Sequence, residues 1–138
     1  MLELDWNVIL LNLSQIGIAY VLALPIAWDR EQEARSAGLR TFPLVSVAAC
    51  GYMLTGIQAL DSTDAEARVI HASIAGMGFI GGGAILKGNG NVKGTATAAS
   101  LWMAGAIGIA VAFHRYEIAV VLALLNFLTL KYVKRLKK

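Results

Sequence analysis

IAGMGFIGGGAILKGNGNVKGTATAASLW, residues 74–102, is the stretch of sequence that decides the fold. It contains eight of the chain's 14 glycines, all between Gly76 and Gly94. Two apolar segments flank a glycine-rich turn that carries two lysines. Small residues let helix backbones approach closely, and glycine permits turns that other residues resist. We therefore predict a closely packed helical hairpin whose polar turn lies at one face of a membrane.

The composition of the whole chain is typical of a membrane protein with several spans. Of its 138 residues, 57% are hydrophobic and only 15% are charged, and the mean hydropathy is +0.63. A soluble domain of this size exposes too much surface for so few charges. The length predicts a single transmembrane domain, residues 1–138. The net charge of +3 is better explained by membrane orientation than by nucleic acid as a partner.

Hydrophobic runs of spanning length predict an all-α bundle of about five transmembrane helices. The predicted helices cover approximately residues 6–28, 41–60, 64–86, 95–113 and 118–133. Thr41 and Thr95 are expected N-caps, and Thr63 and Glu66 have the spacing of a capping box. The fifth run is the shortest, so an alternative with four spans would place it on the membrane surface. The acidic start MLELDWN lacks the basic region of a cleaved signal peptide.

Basic residues are distributed unevenly between the two sides of this predicted bundle. The side with the N-terminus holds two, Arg68 and Arg115. The opposite side holds ten, which are Arg30, Arg35, Arg40, Lys87, Lys93, Lys131, Lys134, Arg135, Lys137 and Lys138. Because loops rich in lysine and arginine stay in the cytoplasm, we predict a periplasmic N-terminus and a cytoplasmic C-terminus.

The fourth predicted helix has a small residue at every fourth position. These residues are Ala96, Ser100, Ala104, Gly108 and Ala112. Residues four apart share one face of a helix, and small residues on that face favour close helix contacts in lipid. In the third helix Gly78 and Gly82 have the same spacing. The pattern fits a tight bundle within one chain, and it also fits contact within a homodimer or a higher homo-oligomer.

Charged residues gather where the first predicted helix ends and the second begins. Asp29, Arg30 and Glu31 follow the first helix, and Arg40 and Thr41 open the second. In one interpretation they are solvated loop charges that only set orientation. In the other they form a buried polar cluster beside the glycine-rich turn, because ionisable groups within a bundle are costly unless paired. The sequence leaves both interpretations open.

Ligand sites are only weakly indicated. The turn KGNGNVKG, with Lys87 and Lys93 ahead of a helix N-terminus, is similar to an anion nest but lacks the spacing of a P-loop. An anion- or nucleotide-binding module is therefore one hypothesis. Acids in two loops could hold Mg²⁺ through its waters, and these are Asp29, Glu31, Glu33, Asp61, Asp64 and Glu66.

Histidine, cysteine and catalytic residues give no further signal. His71 and His114 lie far apart, and neither has metal-ligand spacing with Cys50. No set of nucleophile, acid and base residues emerges, so we do not expect an enzyme. We expect no cofactor, with Mg²⁺ as the one candidate ligand.

Four motifs, taken together, resemble the MgtC/SapB family. They are AWDRE (27–31), AGLRT (37–41), GMGFIGGGAI (76–85) and GTATAASLW (94–102). The matching positions are Asp29, Arg30, Glu31, Gly38, Arg40, Thr41, Arg68, Gly76, Gly78, Gly81, Gly82, Gly83, Gly94 and Thr97. The family's more usual GLTTA stands here as GTATA, so Ala96 replaces a threonine.

The resemblance implies a five-helix protein of the bacterial inner membrane, associated with adaptation to low magnesium and with survival inside host cells. It implies a regulatory or accessory role toward a larger membrane protein, such as the F-type ATP synthase or a transporter. Longer members carry a soluble C-terminal domain, which we do not expect here because the chain ends at KRLKK. The alternative is a small homo-oligomeric transporter or channel for Mg²⁺ or protons.

Overall fold

The computed structural model describes residues 4–33 and 37–136, with the backbone alone at 86–88, 134 and 135. The described residues form five α-helices, a two-stranded β-hairpin and a final 3₁₀ turn. The elements are α1 (Trp6–Glu33), α2 (Thr41–Ala59), α3 (Thr63–Gly83), β1 (Leu86–Gly88), β2 (Asn91–Lys93), α4 (Thr95–Ala112), α5 (Tyr116–Tyr132) and the 3₁₀ turn Val133–Leu136. The predicted all-α bundle is therefore confirmed, with a small β-hairpin added to it.

Helix α1 is longer than its sequence pattern predicted. It continues past Trp28 to Glu33, so Asp29, Arg30 and Glu31 are helical rather than part of a loop. Our boundary followed the end of the apolar run, but the charged residues after it are good helix formers. A salt bridge between Arg30 and Glu33, three residues apart, further stabilises this last turn.

The start of α3 is capped one residue earlier than predicted. Ser62 is the N-cap, and its side chain accepts a hydrogen bond of 3.2 Å from the backbone N–H of Ala65. Thr63 is the first helical residue, so the predicted capping box of Thr63 and Glu66 is wrong. Serine and threonine stand side by side here, and both favour the N-cap position. The sequence pattern correctly predicted a hydroxyl side chain as the cap of α3, but it indicated Thr63 instead of Ser62.

Helix α4 is the centre of the bundle, because it contacts each of the other four helices. Two apolar cores lie along it, one around Phe42 and Leu101 and the other around Met53 and Ile107. Four residues of the predicted small-residue ladder are buried, which are Ser100, Ala104, Gly108 and Ala112. Ala96, the first of the ladder, is exposed. The ladder thus serves packing within one chain.

The closest approach of two helices in the ladder is at Gly108. A Cβ atom added there would collide with the backbone carbonyl oxygen of Ser46 and lie 3.0 Å from the backbone nitrogen of Cys50. Both atoms belong to the backbone of α2, which cannot move aside as a side chain can. A polar contact also stabilises this part of the bundle. The Ser46 hydroxyl of α2 donates a hydrogen bond of 2.9 Å to the Ala19 carbonyl oxygen of α1.

Most glycines of α3 do not pack closely against another helix of the chain, although we expected close packing. Only Gly81 approaches α4, where an added Cβ would lie 3.2 Å from the carbonyl oxygen of Ala98. The other four glycines of this helix have no atom within 4 Å of an added Cβ, and these are Gly76, Gly78, Gly82 and Gly83. The packing interpretation therefore applies within the chain to Gly81 but not to those four.

The turn between α3 and α4 is a β-hairpin rather than an irregular loop. Its strands pair antiparallel, with Lys87 opposite Val92. Asn89 and Gly90 form the two-residue turn with φ of 51° and 77°, the left-handed values that an Asn-Gly hairpin turn requires. We predicted the turn correctly but not the strands, because three-residue strands are too short for a periodic pattern.

Three helices within the described ranges are long and apolar enough to cross a membrane, namely α1, α2 and α4. Helix α5 has 17 residues, which at 1.5 Å per residue gives about 26 Å, slightly less than a hydrocarbon core of about 30 Å. Helix α3 has 21 residues and carries acids in its first turn. The three apolar spans are those of a membrane protein, and full spanning by α3 and α5 stays a prediction.

Helix α4 ends in a left-handed residue, and this yields a stability prediction. His114 has φ of 57°, and the following N–H, of Arg115, bonds to the Ala110 carbonyl at 2.9 Å. Glycine is the usual residue at this position because a Cβ is unfavourable there. We expect His114→Gly to raise the unfolding free energy by about 0.5–1 kcal/mol. Chemical unfolding in detergent measures this, with His114→Ala as the control; equal stability of the two variants would contradict it.

Candidate polar site at the end of helix α1

One face of α1 is buried along most of its length and brings an arginine into the protein. Gln15, Ala19, Ala23, Ala27 and Arg30 are buried at spacings of three or four residues. Residues with that spacing lie on one side of a helix. The Gln15 side chain donates to the last carbonyls of α4, at 3.0 and 3.2 Å. The same face that packs against the bundle therefore carries Arg30 inward.

Arg30 is the buried centre of a charged cluster whose outer acid, Glu33, is exposed. Its Nη2 donates to Asp29 Oδ2 at 2.8 Å and to Glu33 Oε2 at 3.0 Å. The Arg30 and Asp29 side chains are only 9% and 15% exposed. Removing charges from water is costly unless they are paired, and here both acids contact the same guanidinium group. The interpretation of these residues as a buried cluster therefore agrees with the geometry better than that of solvated loop charges.

One donor of Arg30 has no partner among the described residues. Its Nε is buried and makes no hydrogen bond. An unsatisfied buried donor costs free energy, and such groups occur where strain or a missing partner has a functional role. This atom marks the cluster as a place where an acceptor would gain a strong hydrogen bond.

Glu31 joins the end of α1 to the start of α2. Its Oε2 accepts a hydrogen bond of 2.9 Å from the backbone N–H of Leu39. A Cβ atom on Gly38 would collide with that carboxylate and lie 2.9 Å from the Glu31 Cα, so only glycine permits this approach. The two sequence motifs at residues 27–31 and 37–41 thus meet in space and form one polar site.

The remaining residues of the predicted polar cluster lie less close together. Arg40 is exposed and precedes α2, and Thr41 is the first helical residue. The predicted N-cap at Thr41 is wrong, since no side chain caps α2. Arg68 lies in the second turn of α3, at the opposite end of the bundle from Asp29. This agrees with the predicted topology, which places Arg68 and Arg30 on opposite sides of the bundle.

The glycine-rich turn lies at the same end of the bundle as Arg30. Gly94 has φ of 90°, and a Cβ there would collide with the Ala84 carbonyl oxygen at the end of α3. It is the N-cap of α4, so the predicted cap at Thr95 is wrong. Thr97 is buried, whereas Lys93 is exposed. The Lys87 side chain and residue Arg35 lie outside the described part of the chain, as do the side chains of the terminal basic run from Lys134 onward.

The predicted anion nest and metal site find limited support in this geometry. In the β-hairpin the backbone groups of residues 86–88 pair with those of 91–93, which leaves fewer N–H groups for an anion than an open nest would. Within the described residues, no group of three His, Cys, Asp or Glu side chains is close enough to hold a metal ion.

Two polar contacts, one at the site and one in the bundle, were not predicted from the sequence. Glu33, predicted only as a possible Mg²⁺ ligand, completes the Arg30 cluster, and the i, i+3 spacing would have indicated this once α1 was extended. Asn126 of α5 is buried and pairs with Ser100, whose hydroxyl donates to its Oδ1 at 2.6 Å. A lone asparagine within an apolar run is the signal that could have located this contact between α4 and α5.

Comparison with known proteins gives a consistent set of matches. A family model described as the MgtC family matches residues 16–138. The chain is 39% identical to protein slr0014 of Synechocystis over 106 residues, which are 76% of this chain and 43% of slr0014. It is 30% identical to protein SrpB of Synechococcus elongatus over 148 residues, covering 97% of this chain and 79% of SrpB.

A third relative carries a functional name. The chain is 29% identical over 126 residues to the Escherichia coli (strain K12) protein named "Putative magnesium transporter YhiD", covering 86% of this chain and 59% of YhiD. The chain thus spans less than half the length of slr0014 and about three fifths of YhiD. No solved structure matches this chain.

Proposed function

We propose, because the chain belongs to the MgtC family, that it acts in the membrane as an accessory or regulatory protein of magnesium homeostasis. The name of YhiD supports the link to magnesium. The observation that carries the proposed role is the Asp29–Arg30–Glu33 cluster around the buried Arg30, which Glu31 joins to the segment before α2. It is a charged site with an unsatisfied buried donor at one end of the bundle.

This site is suited to contact with another protein. Ion pairs within the cluster hold Asp29 and Arg30 in one geometry, and exposed Glu31 and Arg40 surround them. Charged groups in fixed positions select a partner by electrostatic complementarity. We propose a larger membrane protein as that partner, such as an ATP synthase or a transporter, under magnesium limitation or during survival inside host cells.

The orientation of the bundle forms part of this proposal. With the ten basic residues of the loops and tail in the cytoplasm, the site at Arg30 faces the cytoplasm of the bacterial inner membrane. A homodimer or a higher homo-oligomer is part of the same proposal, since the open face of α3 offers small residues for close helix contact.

A magnesium transporter is the second candidate function. The name of YhiD is the observation that favours it. In this case oligomers would be required to enclose a path, because the chain is small for a transporter acting alone. The two candidates differ in whether the purified protein moves Mg²⁺ without any other protein.

Substitution of Asp29 tests the proposed site. We expect Asp29→Asn to abolish support of growth at low magnesium, because the neutral amide loses the ion pair that Asp29 makes with Arg30 at 2.8 Å. Membrane insertion should remain, since Glu33 still pairs with Arg30. The measurement is growth of a bacterial strain that depends on this gene, with protein levels in membranes compared in parallel.

Asp61→Asn is the matched control, because Asp61 is an exposed acid at the other end of the bundle. Full growth with Asp29→Asn would overturn the proposed site. Flux of Mg²⁺ into liposomes containing only this protein would favour the transporter. Absence of flux together with co-purification of a larger membrane protein would support the accessory role.

A further inference from the structure

An apolar groove of about 640 Å³ lies between α2 and α3 at the side of the bundle. Its walls are formed by small and branched apolar side chains, among them Val45, Ala49, Val69, Ala72 and Ile80. Two rim residues, Tyr52 and Phe79, are 65% and 87% exposed. In a membrane such a groove opens toward lipid rather than water.

The length of the groove fits a single lipid chain. Along α3 its lining extends from Arg68 to Ile80, about 18 Å at a rise of 1.5 Å per residue. Half of a hydrocarbon core of about 30 Å is about 15 Å. The groove therefore matches an acyl chain from one leaflet, and it is too short for a second transmembrane helix.

The polar end of the groove carries charges of both signs. Arg68 lies there and takes part in none of the ion pairs among the described residues. Asp64, in the first turn of α3, stands four residues before Arg68 and therefore lies on the same face of the helix. A second lateral groove, of about 660 Å³, ends at Arg115, but that arginine is already paired with Glu117 at 3.5 Å.

We propose that the groove between α2 and α3 binds one phosphatidylethanolamine molecule. Its acyl chain fills the apolar groove, and its phosphate accepts hydrogen bonds from the Arg68 guanidinium group. The lipid ammonium group donates to the carboxylate of Asp64. Phosphatidylglycerol has no positive charge to pair with that carboxylate, and phosphatidylcholine has no N–H group to donate to it.

Native mass spectrometry of the purified protein tests this binding directly. The probes are dioleoyl phosphatidylethanolamine, phosphatidylglycerol and phosphatidylcholine, which share the same acyl chains. We expect phosphatidylethanolamine to bind tightest, and Arg68→Gln to weaken its binding about tenfold, as the loss of a charge-assisted hydrogen bond implies. Ala72→Leu, which fills the groove without changing charge, should weaken all three lipids. Arg115→Gln is the matched control and should leave binding unchanged.

Three results would overturn this inference. The first is equal affinity for the three lipids, and the second is affinity for phosphatidylethanolamine that is unchanged in both Arg68→Gln and Ala72→Leu. The third is cross-linking that shows a second copy of the chain over the groove in the lipid-bound state. A thermal melt of each variant in the same detergent verifies folding, and Ala72→Leu keeps the test valid if Arg68→Gln does not fold. The measurement needs no activity, so its failure would leave the proposed role in magnesium homeostasis untouched.

Discussion

Replacing Gly108 with alanine is expected to lower the unfolding free energy of the bundle by about 3 kcal/mol. The added methyl group would collide with the carbonyl oxygen of Ser46 and approach the backbone nitrogen of Cys50. Since both neighbours are backbone atoms of α2, relief requires the separation of α2 and α4. Those two helices form the largest helix contact in the bundle, so the strain falls on the centre of the fold.

Gly82→Ala is the matched control for this substitution. Gly82 also lies within an apolar helix, but no atom lies within 4 Å of a Cβ added there. Alanine should therefore leave the monomer unchanged or stabilise it by up to about 1 kcal/mol through its higher helix propensity. Unfolding by denaturant in detergent micelles, followed by circular dichroism, measures both variants. Similar stability of Gly108→Ala and the unsubstituted protein would show that α2 and α4 are not in close contact.

Replacing Arg30 with alanine is expected to cost about 2–4 kcal/mol of unfolding free energy. The substitution leaves the carboxylates of Asp29 and Glu33 without the guanidinium group that holds both. It also removes a side chain that is only 9% exposed, so packing is lost along with charge.

Arg115→Ala is the matched control for Arg30→Ala, because it removes an ion pair that is exposed instead of one made by a buried arginine. Arg115 pairs with Glu117 at 3.5 Å, but these side chains are 67% and 63% exposed. Exposed pairs contribute little, so we expect a change below about 0.5 kcal/mol. The same unfolding measurement applies to both variants, and equal losses at Arg30 and Arg115 would contradict the burial of the Arg30 cluster.

The spacing of small residues in α4 correctly predicted that this helix packs closely against other helices. Small residues on one face of a helix favour such close contact. Ser100, Ala104 and Gly108 are buried as that pattern indicated. The same pattern in α3 does not serve packing within the chain at Gly82, where no atom lies within 4 Å of an added Cβ, and contact with a second copy stays a prediction. Periodicity shows which residues share a face, but it does not show which surface covers that face.

The polar site could be predicted only in part. The motif around Asp29 and Arg30 singled out the residues that form the charged cluster, but the sequence did not establish whether they are buried. Burial depends on α1 continuing as a helix to Glu33, so that Arg30 falls on the same face as Ala19 and Ala23. The hydrophobic pattern of α1 ends before this last turn. The helix propensity of the charged residues that follow is too weak to predict that the helix continues.

The open glycines of α3 also make local stability differ from one helix of the fold to another. Each glycine in a helix interior costs up to about 1 kcal/mol relative to alanine. At Gly76, Gly78, Gly82 and Gly83 no atom of another element lies within 4 Å of an added Cβ, so close helix contact does not offset that cost. Helix α4, in contrast, is enclosed by four partners. Local opening of the bundle, and with it exchange of backbone amide hydrogens, therefore begins in α3 while α4 remains protected.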